Sequence, residues 1–255
     1  MYPVLFEING FVITSFGVLV ALGALAGLWL FRRELARSRL PDGAADAAII
    51  GVIAGLLGAK LFWVFEHLGE DSFWTLVASR GGLTWFGGLI AGVGAAILFL
   101  LVRRYPIVPV VAAATPALAV GHLIGRIGCF LVGDDYGTPS DLPWAVAFPE
   151  GLPPTIERVH PTQVYEAAVL GVIAWLLLRW RRQGSPDRVV LGWYLVLTSA
   201  TRFLIEFIRI NERVLFGLTT AQISALAIAG AGAWFIFSAA AAIPAAPPSR
   251  RRSSR

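Results

Sequence analysis

Leu83-Thr-Trp-Phe-Gly-Gly-Leu-Ile-Ala-Gly-Val-Gly-Ala-Ala-Ile-Leu-Phe-Leu-Leu-Val102 runs without a charged residue and stops at Arg103-Arg104. A helix of about 20 apolar residues is what the hydrocarbon core of a bilayer demands. Similar runs recur in both directions, over Phe11–Phe31, Ala45–Phe65, Val110–Val132, Pro161–Trp180, Val189–Ile208 and Thr220–Ala240. The composition agrees: 255 residues with 57% hydrophobic and 15% charged content, and a mean hydropathy of +0.72, carry more apolar surface than a soluble domain can bury. The expectation is an all-α, polytopic membrane helix bundle of about seven transmembrane helices. One transmembrane domain should span 1–243, with an extramembrane loop near 133–160, and 244–255 should form a disordered basic tail beside anionic headgroups.

The net charge of +5 and pI near 10 raise the question of a nucleic-acid partner. The arginines instead sit in short clusters between apolar runs, so topology accounts for them and no nucleic-acid partner is expected. Arg32, Arg33, Arg37 and Arg39 follow the first run, Arg103 and Arg104 the third, and Arg179, Arg181, Arg182 and Arg188 the fifth, while Arg250–Arg252 follow the last. Every second connection is therefore basic. Membrane proteins keep such connections in the cytoplasm, which places the N-terminus outside and the C-terminus inside. The start, Met1-Tyr-Pro-Val-Leu-Phe-Glu7, lacks the basic stretch of a secretory signal, so the first run reads as a retained helix.

Gly121-His122-Leu-Ile-Gly125-Arg126-Ile-Gly128-Cys129-Phe carries the most chemistry. On a helix, His122, Arg126 and Cys129 share one face, and Gly121, Gly125 and Gly128 form an adjacent thin face that admits another helix or a ligand. An arginine within an apolar run should face a polar cavity or an anion such as a lipid phosphate, or else snorkel to the outer headgroups. Arg202, Glu206 and Arg209 make a second polar stripe, read either as an ion pair that orients helices or as part of an anion site with Arg126. His160 opens the fifth run before Pro161, where capping is the ordinary role and proton transfer the alternative. The single cysteine and three scattered histidines make no metal motif, and no phosphate-binding loop, dinucleotide fingerprint or serine-hydrolase elbow is present, so no metal or cofactor is expected. No internal repeat of the transporter kind is visible.

Several segments then agree in order and spacing with one family. Gly125-Arg126-Ile-Gly128-Cys129-Phe-Leu-Val-Gly133-Asp134-Asp135-Tyr-Gly137 resembles the Gly-Arg-hydrophobic-Gly-Asn-Phe-x-x-Gly-Glu-x-x-Gly signature of prolipoprotein diacylglyceryl transferases. His160-Pro-Thr-Gln-Val-Tyr-Glu166, Arg202-Phe-Leu-Ile-Glu206-Phe-Ile-Arg209 and the turn Gly217-Leu-Thr-Thr-Ala-Gln222 are similar to that family's later segments. The resemblance implies an enzyme of the bacterial inner membrane that moves diacylglyceryl from phosphatidylglycerol to the lipobox cysteine of a prolipoprotein signal peptide, releasing glycerol phosphate. Its partners would be these two substrates and the surrounding membrane lipids.

It also implies that Arg126 and Arg202 act on the phosphate and makes His160, within a matching segment, a candidate catalytic residue; His122 is absent from the family's pattern and is a catalytic candidate because it lies one turn from Arg126. Gly125, Gly128, Cys129, Asp134, Gly137 and Glu206 would line the substrate site. Three positions depart from the pattern: Phe86 in Gly81-Gly-Leu-Thr-Trp-Phe86-Gly-Gly88 where the family has histidine, Phe16 where it has tyrosine, and Cys129 where it has asparagine. Phenylalanine cannot accept a proton, so either His122 takes over as base or the chain is a non-catalytic, lipid- or signal-peptide-binding paralogue.

Overall fold

The computed structural model describes residues 1–8, 11–79 and 82–241. Gly81 and the tail expected over 244–255 lie outside the described residues. After a hairpin of β1 (Val4–Ile8) and β2 (Phe11–Thr14) come α1 (Ser15–Arg37), α2 (Asp46–Glu66), a short α3 (Phe73–Ala78), α4 (Trp85–Val102) and α5 (Ile107–Val132). A second hairpin, β3 (Val146–Phe148) with β4 (Thr155–Val159), precedes α6 (Thr162–Arg182) and α7 (Asp187–Ile205). A third, β5 (Arg213–Leu215) with β6 (Leu218–Thr219), leads into α8 (Thr220–Ala241). Among the described residues seven helices are long and apolar enough to cross a membrane, all but α3. Their outward faces require lipid: Leu56 and Leu57 of α2 are 58% and 59% exposed and Ile90 of α4 is 68% exposed. In water each such side chain would forfeit about 1.5–3 kcal/mol of burial.

With no hydrophobic drive between helices in lipid, close backbone approach holds the bundle together. On the α2–α4 seam a Cβ added to Gly92 would lie 2.8 Å from the carbonyl oxygen of Gly51, and one on Gly55 would lie 3.2 Å from that of Gly88. Gly23 of α1 meets the Gly121 carbonyl of α5 in the same way, at 3.0 Å, and Gly192 of α7 meets that of Gly232 on α8 at 2.6 Å. α5 is the central helix, packed on α1, α6 and α7. Pro116 interrupts it and leaves the Ala112 carbonyl without its helical N–H, and the Thr115 hydroxyl donates to that oxygen at 2.9 Å instead.

The helix ends sort into two sets. Leu30, Phe31 and Leu35 at the end of α1, Leu100 near the end of α4 and Val110 at the start of α5 pack in one core cluster. The basic connections after α1, α4 and α6 thus share one end of the bundle, where Arg181 of α6 donates to buried Glu34 of α1 at 2.7 Å. The start of α1, the ends of α5 and α7 and the start of α6 lie at the other end. The structure corrects the first run there, since Phe11–Thr14 is strand and the helix begins at Ser15, capped by the Thr14 hydroxyl accepting from Gly17 N at 3.1 Å. The long connection after α5 is an ordered cap in which Tyr136, Phe148 and Val159 make a small core.

Candidate active site

α5 ends where Gly133 turns left-handed, at φ 71°, so the chain leaves the helix within one residue. That turn delivers Asp134 and Asp135 beside the last turn of α5, with Asp135 itself at φ 61°. The first turn of α6 holds them there. Thr162 Oγ1 donates to the Asp135 carbonyl at 2.6 Å, and the Gln163 side-chain amide donates to that of Asp134. His160 fixes the next stretch through its backbone, accepting from Gly137 N at 2.9 Å and donating to Thr138 O at 3.0 Å.

The clamp sets the Asp135 carboxylate between two arginines. Arg126 Nη1 is 2.8 Å from Asp135 Oδ2, and Arg209 pairs with Oδ1. Arg126 also pairs through Nε with Glu166, one turn into α6, where Arg202 Nη1 arrives at 3.5 Å and Arg209 Nη1 at 3.9 Å. Arg202 Nη2 is 2.9 Å from Glu206 Oε2, and Asn211 donates to the other Glu206 oxygen at 2.7 Å. Three guanidiniums therefore face three carboxylates. Glu166 and Glu206 are the deepest, with side chains 4% and 0% exposed, while Arg202 is the most open guanidinium at 31%. Burying so much charge is tolerable only because each ion has an opposite partner.

The two aspartates beyond α5 respond in opposite ways. Burial works against the charged form of both, but Arg209 and Arg126 outweigh it at Asp135 and hold that carboxyl below its usual range. At Asp134 burial prevails, and the carboxyl lies above its usual value.

Arg126 and Arg202 do meet, across Glu166. Arg209 joins them by a different route from the expected helical stripe. α7 ends at Ile205, Glu206–Ile208 tighten into a 3-10 turn, and Arg209 is extended at φ −96° and ψ 160°, so its side chain can reach Asp135 as well as Glu166. His160 is a second correction. The N-cap of α6 is Pro161 and no side chain caps it. The imidazole Nδ1 lies 3.4 Å from the Tyr165 hydroxyl, which accepts from Trp144 Nε1 at 2.7 Å. The indole can only donate, and the tyrosine hydroxyl, which can accept as well as donate, links it to the imidazole.

His122 is exposed on the bundle side of an apolar groove of about 410 Å³ between α1, α2 and α5, one helical turn from Arg126 and within electrostatic reach of Arg126 and Arg202. The thin glycine face divides. Gly121 and Gly128 are closed by α1, the latter by Phe16 and Leu19, whereas Gly125 has open space where a Cβ would point. Gly137 is wedged among Ile208 O, Thr162 and His160. Cys129 Sγ lies 3.9 Å from Arg126 Nη1. Cys129, Asp134 and Asp135 each bring a ligand-type atom within 4.8 Å of the others, but both Asp135 oxygens are already engaged by arginines.

Glu166, Asp135 and Gln163 emerge from the structure as organising residues that no spacing rule singled out. The available signal was a carboxylate inside the apolar run Pro161–Trp180, which must have a cationic partner.

Fold and site define a class, a multi-pass membrane protein holding a charge-balanced arginine–carboxylate cluster at one end of its helices. The family model for prolipoprotein diacylglyceryl transferase matches residues 3–238. The chain is 31% identical over 217 residues to the phosphatidylglycerol–prolipoprotein diacylglyceryl transferase of Clostridium tetani, covering 84% of this chain and 87% of that protein. It is 32% identical over 247 residues to the protein of that name from Nitratidesulfovibrio vulgaris, covering 92% of each. With the Methylobacillus flagellatus protein of the same name it shares 31% identity over 254 residues, 92% of this chain and 95% of that one. The chain belongs to the prolipoprotein diacylglyceryl transferase family.

Proposed function

We propose that the chain transfers the diacylglyceryl group of phosphatidylglycerol to the lipobox cysteine of a prolipoprotein, at the outer face of the bacterial inner membrane. The observation that carries this reading is the convergence of Arg126, Arg202 and Arg209 from three segments, beside an apolar groove, in a member of this family. The cysteine sulfur attacks the glyceryl carbon that bears the phosphate. A C–S bond forms, the C–O bond to phosphate breaks, the thiol proton passes to a base, and glycerol phosphate leaves.

The charge that grows on the leaving phosphate is stabilised by Arg126 and Arg202, fixed beforehand by Glu166 and Glu206. Gly125 leaves room beside Arg126 for the headgroup, Cys129 and Asp134 border it, Gly128 seats α1 on α5 behind it, and Gly137 holds the cap against the helix ends. His122 serves as the base. Its place one turn from Arg126 on the groove supports this, while the His160 imidazole, set against the Tyr165 hydroxyl and with its backbone bonded to Gly137 and Thr138, has the part of a positioner. The gathering of the basic connections after α1, α4 and α6 at one end supports an outside N-terminus and a cytoplasmic C-terminus.

Expression of the chain in a strain depleted of its own diacylglyceryl transferase tests the activity. Growth and thioether formation on a lipobox reporter peptide are expected, and failure of both at normal membrane levels would overturn the proposal. Reporter fusions after Arg39, Arg104 and Arg182 should read as cytoplasmic and a fusion between Asp141 and Glu157 as external, and the inverse pattern would overturn the orientation.

A further inference from the structure

At the end of the bundle remote from the Arg126–Glu166 cluster, α1, α5 and α6 enclose a second pocket of about 270 Å³. Its mouth carries Arg33, Arg37 and Arg182, and its floor is apolar, made by Leu30, Val120 and Leu178. The charges around it do not balance. Glu34 is buried and held by Arg181 at 2.7 Å and by Arg37 at 3.2 Å, and Arg181 in turn reaches Asp187 at 3.3 Å. Those two carboxylates neutralise Arg37 and Arg181. Among the described residues no carboxylate pairs with Arg33 or Arg182, and the Arg33 guanidinium stacks over the Trp29 ring at 5.6 Å.

An excess of two positive charges over a hydrocarbon floor, with an indole at the rim, is complementary to one kind of molecule in a membrane: an anion joined directly to an alkyl chain. A soluble anion would use the arginines and leave the floor empty. A neutral lipid would use the floor and leave two guanidiniums without partners.

We propose that this pocket is a second, non-catalytic phospholipid site, in which Arg33 and Arg182 bind the phosphate of an anionic glycerophospholipid and an acyl chain lies along Leu30, Val120 and Leu178. A lipid seated there bridges α1 and α6 beside the Glu34–Arg181 pair, and α6 is the helix whose opposite end carries Glu166. The site is independent of the transferase reading, since it shares no residue with that cluster.

The test is native mass spectrometry of the purified full-length chain titrated with phosphatidylserine, with phosphatidylcholine and with inorganic phosphate. Phosphatidylserine should be retained over phosphatidylcholine, and Arg33→Ala combined with Arg182→Ala should weaken that retention by about tenfold or more. Both arginines are solvent-facing, so the double variant should fold. The double lysine variant, which keeps the charge, should hold the lipid more tightly than the alanine pair. Arg126→Ala should retain phosphatidylserine here whatever becomes of activity, which separates the two readings. Equal retention by wild type and the double alanine variant, equal retention of the two lipids, or displacement of the lipid by inorganic phosphate would each overturn the proposal.

Discussion

Replacing Arg126 by lysine keeps a positive charge at the centre of the cluster and removes only its shape. The guanidinium bridges two carboxylates at once, Glu166 through Nε and Asp135 through Nη1 at 2.8 Å, so its two edges do separate work. A lysine ammonium is a single point and can serve one of them. One charge-assisted hydrogen bond is lost, worth about 1.5–3 kcal/mol, which is about 10- to 150-fold in rate if the lost donor acts on the departing phosphate. Arg126→Ala removes both bonds and leaves Glu166 buried with weaker partners, at about 3–5 kcal/mol for a broken buried pair. The Asp135 share should be small, because its side chain is 45% exposed and water screens it. The assay is transfer of labelled diacylglyceryl from phosphatidylglycerol to a synthetic lipobox peptide in membranes, normalised to protein level, alongside chemical denaturation of each variant. Lysine should therefore fail nearly as badly as alanine in transfer while denaturing closer to wild type. A lysine variant with the wild-type rate would refute the fork-shaped role.

Glu166→Gln leaves three guanidiniums facing two carboxylates, so it should lower stability by about 3 kcal/mol without ligand, and added phosphatidylglycerol should restore part of the loss, read by denaturation with and without lipid. Gly92→Leu drives a side chain into the Gly51 carbonyl and should cost about 1–3 kcal/mol by the same measurement, whereas Gly94→Leu, whose Cβ would meet open space, should cost little. His122→Gln should abolish transfer at neutral pH, while His160→Gln should slow it and leave the pH dependence unchanged. Because the folded-state value of Asp135 is lowered, its stabilising contribution is full above the unfolded carboxyl range near pH ~4 and disappears as pH falls through the lower folded value. Asp135→Asn should therefore lose stability at neutral pH and show a flatter acid limb in a denaturation series.

Apolar length made the helices legible. Six of the seven runs begin and end within a few residues of α2 and α4–α8, because a bilayer fixes the span and arginine clusters mark the exits. The first run misled at its start because Phe11–Thr14 is as apolar as a helix, yet it pairs with Val4–Ile8 in a hairpin, and hydropathy carries no information on pairing. The site was legible on α5, where helical spacing put His122 and Arg126 on one side. It was illegible at Arg209, since a helical period cannot announce that α7 tightens at Glu206 and then extends. Glu166 was hidden for the converse reason: its meaning depends on partners in α5, α7 and the segment beyond, all distant in sequence. Of the three departures from the family pattern, Cys129 stands in the last turn of α5 beside Arg126, Phe16 of α1 lies against Gly128 there, and Phe86 stands in the first turn of α4, edge-on to Trp85.

What survives in the site is its charge-bearing part, and the charge balance says how it would work. Arg126, Arg202 and Arg209 are matched by Asp135, Glu166 and Glu206 before any ligand arrives, so a phosphodiester cannot be drawn in by unneutralised charge in the cluster. Binding must instead be an exchange, in which a guanidinium turns from a carboxylate to the phosphate. Arg202 can do so at least cost, being the most open of the three: its Nη1 lies 3.5 Å from Glu166 and can turn to the phosphate while Nη2 keeps its 2.9 Å pair with Glu206, whereas Arg126, largely buried between Asp135 and Glu166, would serve as the fixed anchor. The exchange is nearly neutral for the singly charged substrate. It becomes favourable as the C–O bond breaks and a second negative charge builds on the leaving phosphate, which the Glu166 carboxylate never acquires. A cluster balanced against the ground state therefore favours the transition state by the difference, which is the condition for raising the rate rather than only the affinity.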